Sequence, residues 1–97
     1  MAVKGGDALL TRDNIVVKPK NDSGVLIVRL ENNDTGISIA SYTLVASGVK
    51  SGPSVQQGDD GTIFLYYIDT SSVDHKWKTS GARASRPTAA GDWVQVY

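Results

Sequence analysis

The chain has no cysteine, one histidine and one glutamate among its 97 residues. Without cysteine no disulfide braces the fold, and one histidine with no thiol cannot supply the four ligands of a structural zinc. Near-absence of glutamate, against nine aspartates, removes a residue that solvent-facing helices normally use in quantity. Proline occurs three times and methionine once. No apolar run approaches the ~18 residues that a membrane-crossing helix requires. The first residues lack the apolar core and cleavage site of a secretory signal. An excess of either charge is also missing: ten basic and ten acidic residues balance to zero. A dedicated duplex-DNA binder carries a clear basic excess, so neither nucleic acid nor membrane is expected as a partner.

What is present favours strands. Eleven valines, six isoleucines and seven threonines suit pleated, half-buried surfaces. Asp, Asn, Ser and Gly gather in turn-forming clusters at 18–24, 32–36, 47–53, 58–61 and 79–92. Strands broken by turns every 8 to 12 residues are the pattern of a sandwich or small barrel. The expectation is a single all-β domain over 1–97, an antiparallel sandwich or barrel of about six to seven short strands. Residues 1–8 form an N-terminal arm, tied to the domain or to a neighbouring chain, and 80–91 an extended loop. At this size folding buries somewhat over ~60% of the open chain's surface. Any added stability would come from association with another chain.

The strands expected are 14–18, 25–31, 37–46, 62–69 and 93–97, with shorter ones around 54–57 and 76–78. Leu9 and Leu10 sit in a turn or short strand, and Asp7 to Asp13 has room for one helical turn. In 25–31, Leu26, Val28 and Leu30 share one face while Ile27, Arg29 and Glu31 share the other, the alternation of a half-buried strand. In 37–46, strict alternation sets Ala40, Tyr42, Leu44 and Ala46 against Ile37, Ile39, Ser41, Thr43 and Val45. The stretch 62–69 is apolar on both faces, Ile63, Leu65 and Tyr67 against Phe64, Tyr66 and Ile68. Such a strand is either central or lies at a subunit contact.

Residues 80–91 are small apart from two arginines and one proline and offer almost nothing to bury. Loops of about a dozen structureless residues are uncommon in compact domains and are usually functional or disordered. A neighbouring molecule is the expected support for this one.

Four basic residues, Lys76, Lys78, Arg83 and Arg86, fall in a stretch that no acid interrupts from 75 to 91, with Trp77 among them. This reads as a contact patch in which Trp77 is the stacking platform, or else as a solvated loop with one tryptophan capping the core. Trp and Arg are enriched at protein interface hot spots. The interface candidates are therefore Phe64, Tyr66, Trp77, Lys76, Lys78, Arg83, Arg86 and Tyr97. Rings could equally stack on sugars, although core packing accounts for at least half of them.

Asp74 and His75 are adjacent, so on a strand they point to opposite faces, which spoils an acid–base dyad. Asp59, Asp60, Asp69 and Asp74 are the first suspects for calcium, yet no segment has the spacing of an EF-hand loop, and turn formation explains them. No catalytic, metal or cofactor signature is present. The expected role is a non-enzymatic structural or interaction subunit of a large assembly: a homo-oligomer or capsid lattice. A virion is the expected setting, with the chain as a phage capsid decoration or minor structural protein. It would then be located in the virion, or in the cytoplasm of the producing cell before assembly. The alternative is a carbohydrate-binding or adhesion module, with a glycan as ligand.

Overall fold

The computed structural model describes residues 8–81 and 85–97. Eight strands succeed one another among the described residues: β1 Leu9–Leu10, β2 Ile15–Asp22, β3 Val25–Asn32, β4 Ser38–Val45, β5 Val49–Gln57, β6 Ile63–Asp69, β7 Asp74–Thr79 and β8 Trp93–Gln95. They form two four-stranded sheets in sequence order, β1-β2-β3-β4 and β5-β6-β7-β8, and all neighbours are antiparallel. The molecule is a small all-β sandwich, with more strands than the six to seven expected.

Alternation decides what each sheet buries. Leu26, Val28 and Leu30 of β3, with Leu9, Ile15 and Val17, face Val49, Val55, Ile63, Leu65, Tyr67 and Trp93 of the second sheet. The register of the β2–β3 hairpin is set by a two-residue turn at Ser23 and Gly24, whose φ values are 52° and 91°. Positive φ at both positions is the requirement of the turn whose twist matches a hairpin.

Several expectations are corrected. Residues 9–13 hold no helical turn: Leu9 and Leu10 pair with Val17 and Val16, because Leu9 is needed in the core. β5 starts at Val49 rather than near Ser54, since Val49 is buried and Pro53, which has no N–H to donate, is tolerated on an edge strand. β8 stops at Gln95; beyond it the Val96 N–H donates to the Lys76 carbonyl at 2.7 Å. β4 departs from strict alternation. Register shifts fall between its pairings with Leu26 and Ile27, and with Leu30 and Glu31. Such an irregularity admits an extra residue and reverses the facing of the residues beyond it. Ile39 and Val45, expected on the face opposite Tyr42 and Leu44, therefore pack against the core together with them.

The segment 80–91 has a different support from the one expected. Among its described residues Pro87 is fully buried. The Tyr42 hydroxyl donates to the Pro87 carbonyl at 2.7 Å, and the Trp93 indole N–H donates to the same hydroxyl at 2.7 Å. A short 3-10 turn at Ala90–Asp92 closes the segment, with the Asp92 carboxylate accepting from the Ala89 N–H. The protein's own core holds it. Of the N-terminal arm only Ala8 lies within the described residues.

Candidate binding face

Because Ile63, Leu65 and Tyr67 fill the inner face of β6, the pleat turns Phe64, Tyr66 and Ile68 outward. The register then builds rows across the outside of the second sheet: Gln56, Phe64, Lys78 and Val94; Ser54, Tyr66 and Lys76; Ser51, Ile68 and Asp74. Phe64 and Tyr66 are half-buried, while Ile68 is 37% and Val94 44% exposed. The Lys76 ammonium lies 4.8 Å from the Phe64 ring centre and 5.6 Å from that of Tyr66. It sits within the range where a ring face attracts a cation. The Gln56 amide is 3.2 Å from the Tyr66 hydroxyl and donates to it. Among the described residues no carboxylate is salt-bridged to Lys76 or Lys78. At one end the face dips into a groove of about 260 Å³ whose walls include Ser51, Ser54, Tyr66, Ile68, Asp74 and Tyr97.

The structure thus brings Phe64, Tyr66, Lys76 and Lys78 together, and places Tyr97 beside them at the groove. Trp77 is a correction. It stands in the row Val55, Leu65, Trp77, Gln95, which faces the core, so alternation sends its ring to the opposite side from Lys76 and Lys78. Its indole N–H is buried without a well-formed hydrogen bond among the described residues, although it interacts with the Tyr67 hydroxyl. The stacking surface of the basic face is Phe64 and Tyr66 instead. Arg86 is exposed on the segment leading to Pro87 and belongs to none of these rows. Arg83 lies outside the described residues.

Sequence reasoning set His75 against the adjacent Asp74 and missed its partner. His75 Nε2 is 2.7 Å from Asp69 Oδ2 across the β6–β7 turn. The other Asp69 oxygen accepts from the N–H groups of Ser71 and Val73, at 2.8 and 3.0 Å. His75 Nδ1 faces the Tyr97 main-chain oxygen at 3.3 Å, and the Tyr67 ring stacks on the imidazole at 4.9 Å. The hydrogen bond from His75, then those from the turn, hold the Asp69 carboxyl below its ordinary range; the same Asp69 contact raises His75. Ser51 and Ser54 line the groove that His75 borders, yet neither hydrogen-bonds to it. With both nitrogens engaged, the imidazole braces the hairpin turn against the chain beyond β8. The readable signal was the close spacing of Asp69 and His75 around a turn rich in serine.

The suspected calcium ligands do not meet. Asp59 and Asp60 precede β6, Asp69 ends it and Asp74 opens β7, so the two pairs lie at opposite ends of one strand. Asp60 Oδ1 accepts from the Thr62 N–H at 3.0 Å, which is turn chemistry and holds its pKa down. No group of three or more His, Cys, Asp or Glu side chains converges among the described residues.

The outer face of the first sheet is different in kind. Glu31 accepts from Lys18 and from Arg29, both at 2.9 Å, and the Lys18 contact foremost lowers its pKa. Those charges are satisfied within the chain. No family model, curated protein or solved structure matches the sequence, so the reading of the second sheet's outer face rests on its geometry.

Proposed function

We propose that this chain is a non-enzymatic interaction subunit of a larger assembly, docking on a protein partner through the outer face of its second sheet. The observation that supports the reading is Lys76, lying over two outward rings with no carboxylate salt-bridged to it among the described residues. Protein interfaces concentrate aromatic rings at their centres and leave polar and charged groups to the rim. Contiguous exposed apolar surface rimmed by polar groups marks a contact site on a small domain. Phe64, Tyr66, Ile68 and Val94 supply that surface, while Lys76, Lys78, Gln56 and Asp74 supply the rim. A partner patch carrying carboxylates opposite Lys76 and Lys78 is the complement. A virion lattice is the assembly we assign it to, in keeping with a cysteine-free, net-neutral chain rich in small polar turns.

The groove beside Tyr66 favours one second reading. A ring bordered by Ser51, Ser54 and Asp74 has the mixture of flat apolar surface and hydroxyl partners that a sugar takes. One experiment separates the two: a photo-crosslinking benzophenone in place of Tyr66, activated in the cells that make the protein, alongside a glycan array probed with the parent and with Tyr66→Ala. A cross-link to one defined protein, lost on Lys76→Glu, supports the assembly role. Glycan binding lost in Tyr66→Ala, with no protein cross-link, overturns it.

A further inference from the structure

We propose that two copies of this chain pair edge to edge through β4, antiparallel about a two-fold axis at Tyr42, joining their first sheets into one continuous eight-stranded sheet. This goes beyond the docking face of the second sheet and uses a different surface.

The argument begins with which edges are open. β4 closes one side of the first sheet. From 35 to 49 the sequence has neither charge nor proline. Long uncharged edges are what proteins avoid exposing, since their free N–H and C=O groups template another strand. The other three edges are protected: β1 has two residues and β8 three, while β5 carries Lys50, Pro53 and two register shifts. Among the described elements β4 is the one long edge with neither charge nor proline along its centre, and the Ala90–Asp92 turn lies near the strand.

The outward groups can be identified. The two-residue turn makes Asp22 and Val25 a hydrogen-bonded pair. Along β3 the main chain therefore points to β2 at Val25, Ile27 and Arg29, and to β4 at Leu26, Val28 and Leu30. The Asn32 N–H donating to the Ile37 carbonyl at 2.9 Å agrees with this parity. Val28 pairs with Tyr42 and Leu30 with Ala40, so Tyr42 and Ala40 are the residues bonded to β3. Ser41 and Thr43, between and beside them, turn their N–H and C=O out of the sheet. Both residues are exposed, and no hydrogen bond from another segment reaches either among the described residues.

A two-fold axis at Tyr42 sets Ser41 opposite Thr43 of the second copy, and Thr43 opposite its Ser41. Each pair exchanges two main-chain bonds, about four in all, and places hydroxyls opposite hydroxyls, a favourable cross-strand pairing. Two-fold pairing sets the residues on one side of Tyr42 against those on the other, and the run holds no charge to oppose that approach. The register shifts at Ile39 and Leu44 bound the regular stretch to Ala40–Thr43 and so fix the register. With one usable edge per chain, the pairing closes as a dimer and does not propagate.

The test is mass in solution by light scattering across a concentration series, with circular dichroism as a check on folding. The parent is expected at twice its 10.3 kDa chain mass. Thr43→Pro removes an outward N–H that the fold itself does not use, and is expected to be a folded monomer. Should that variant unfold, the double variant Ser41→Lys with Thr43→Lys decides, because it sets ammonium groups against one another across the axis. The cysteine-free chain permits a register check. Mild oxidation of mixed Ser41→Cys and Thr43→Cys proteins should yield far more cross-linked dimer than either alone. Tyr66→Ala should leave the dimer intact. A monomeric parent at high micromolar concentration overturns the proposal, as does a dimer that survives in the folded lysine variant.

Discussion

Removing one oxygen atom tests how the sandwich is closed. Tyr42 stands on the inner side of β4. Its hydroxyl accepts from the Trp93 indole N–H in the second sheet and donates to the Pro87 carbonyl in the segment between β7 and β8, both at 2.7 Å. Tyr42→Phe keeps the ring and its packing and deletes both bonds. Trp93 is only 5% exposed and Pro87 is fully buried, so water cannot readily replace the lost partner. Leaving a buried donor or acceptor unsatisfied costs about 1–3 kcal/mol each. The Pro87 carbonyl recovers part of its share if the segment loosens, which gives a net loss of about 2–4 kcal/mol. For a domain of this length that lowers Tm by roughly 10–20 °C.

The assay is thermal and urea unfolding monitored by circular dichroism, with Tyr66→Phe as control. The Tyr66 hydroxyl has only the exposed Gln56 amide as partner, so its loss should change stability by less than ~0.5 kcal/mol. A double cycle with Trp93→Phe isolates the coupling between ring and hydroxyl. The same environment has a titration signature. Burial, foremost, pushes the Tyr42 phenol up to about 12 from 10.0, against the opposing effect of the Trp93 bond. A folded pKa above the unfolded one means that this contribution is complete below pH 10 and is lost as pH rises towards 12. Phenolate absorbance should therefore show one tyrosine ionising about there, together with unfolding. If Tyr42→Phe melts within a degree or two of the parent, the hydroxyl does not tie the sheets together and the account of the 80–91 segment fails.

The same geometry has other testable consequences. Leu65→Asp places a carboxylate at a fully buried position and should abolish folding, because an unpaired buried charge costs several kcal/mol or more; a parent-like melting curve refutes the placement of β6. Asp69→Asn keeps an acceptor for Ser71 and Val73 while removing the charge beside His75. The single imidazole signal in proton NMR should then titrate lower, back towards 6.5. In the parent, Asp69 is lowered and His75 raised. Their stabilisation is therefore fullest between the ordinary values of 3.8 and 6.5. It fades as pH falls through the folded Asp69 pKa or rises through that of His75; a stability profile flat through both limits, in the parent and Asp69→Asn alike, contradicts the pairing. Lys76→Glu should cost under ~1 kcal/mol, the scale of an exposed cation over a ring, and still abolish partner capture.

How much of this was legible in the sequence differed by element. The β3 alternation was plain, because Leu26, Val28 and Leu30 are interleaved with charge. The two-sided apolar character of β6 was equally plain, but which side was inner was not. Phe64 and Tyr66 are as apolar as Leu65 and Tyr67, and only the second sheet's packing against the first decides. Trp77 was misjudged because flanking lysines drew it into a surface patch, although period-2 geometry separates it from both. The shifts in β4 carry no local signature: Ile39 and Leu44 look like any strand residue, and the extra length shows only against β3. Pro87 was counted as part of a featureless run. Its anchor is Tyr42, 45 residues away, a separation that no local pattern reports.

The two outer faces explain why the second sheet, and not the first, is the surface to test. The one glutamate of the chain lies between Lys18 and Arg29 on the first sheet and bonds to both, so the centre of that face presents charges already answered, with Lys20 and Asp22 beside them. On the second sheet the corresponding position over the rings is taken by Lys76 with no carboxylate bonded to it among the described residues. Its neighbour Asp74 stands in the adjacent row, beside Ile68. A cation held by ring faces keeps its charge free for an incoming anion, whereas one in a salt bridge must first give up its partner. The face that combines a free cation with exposed apolar surface gains most from being covered.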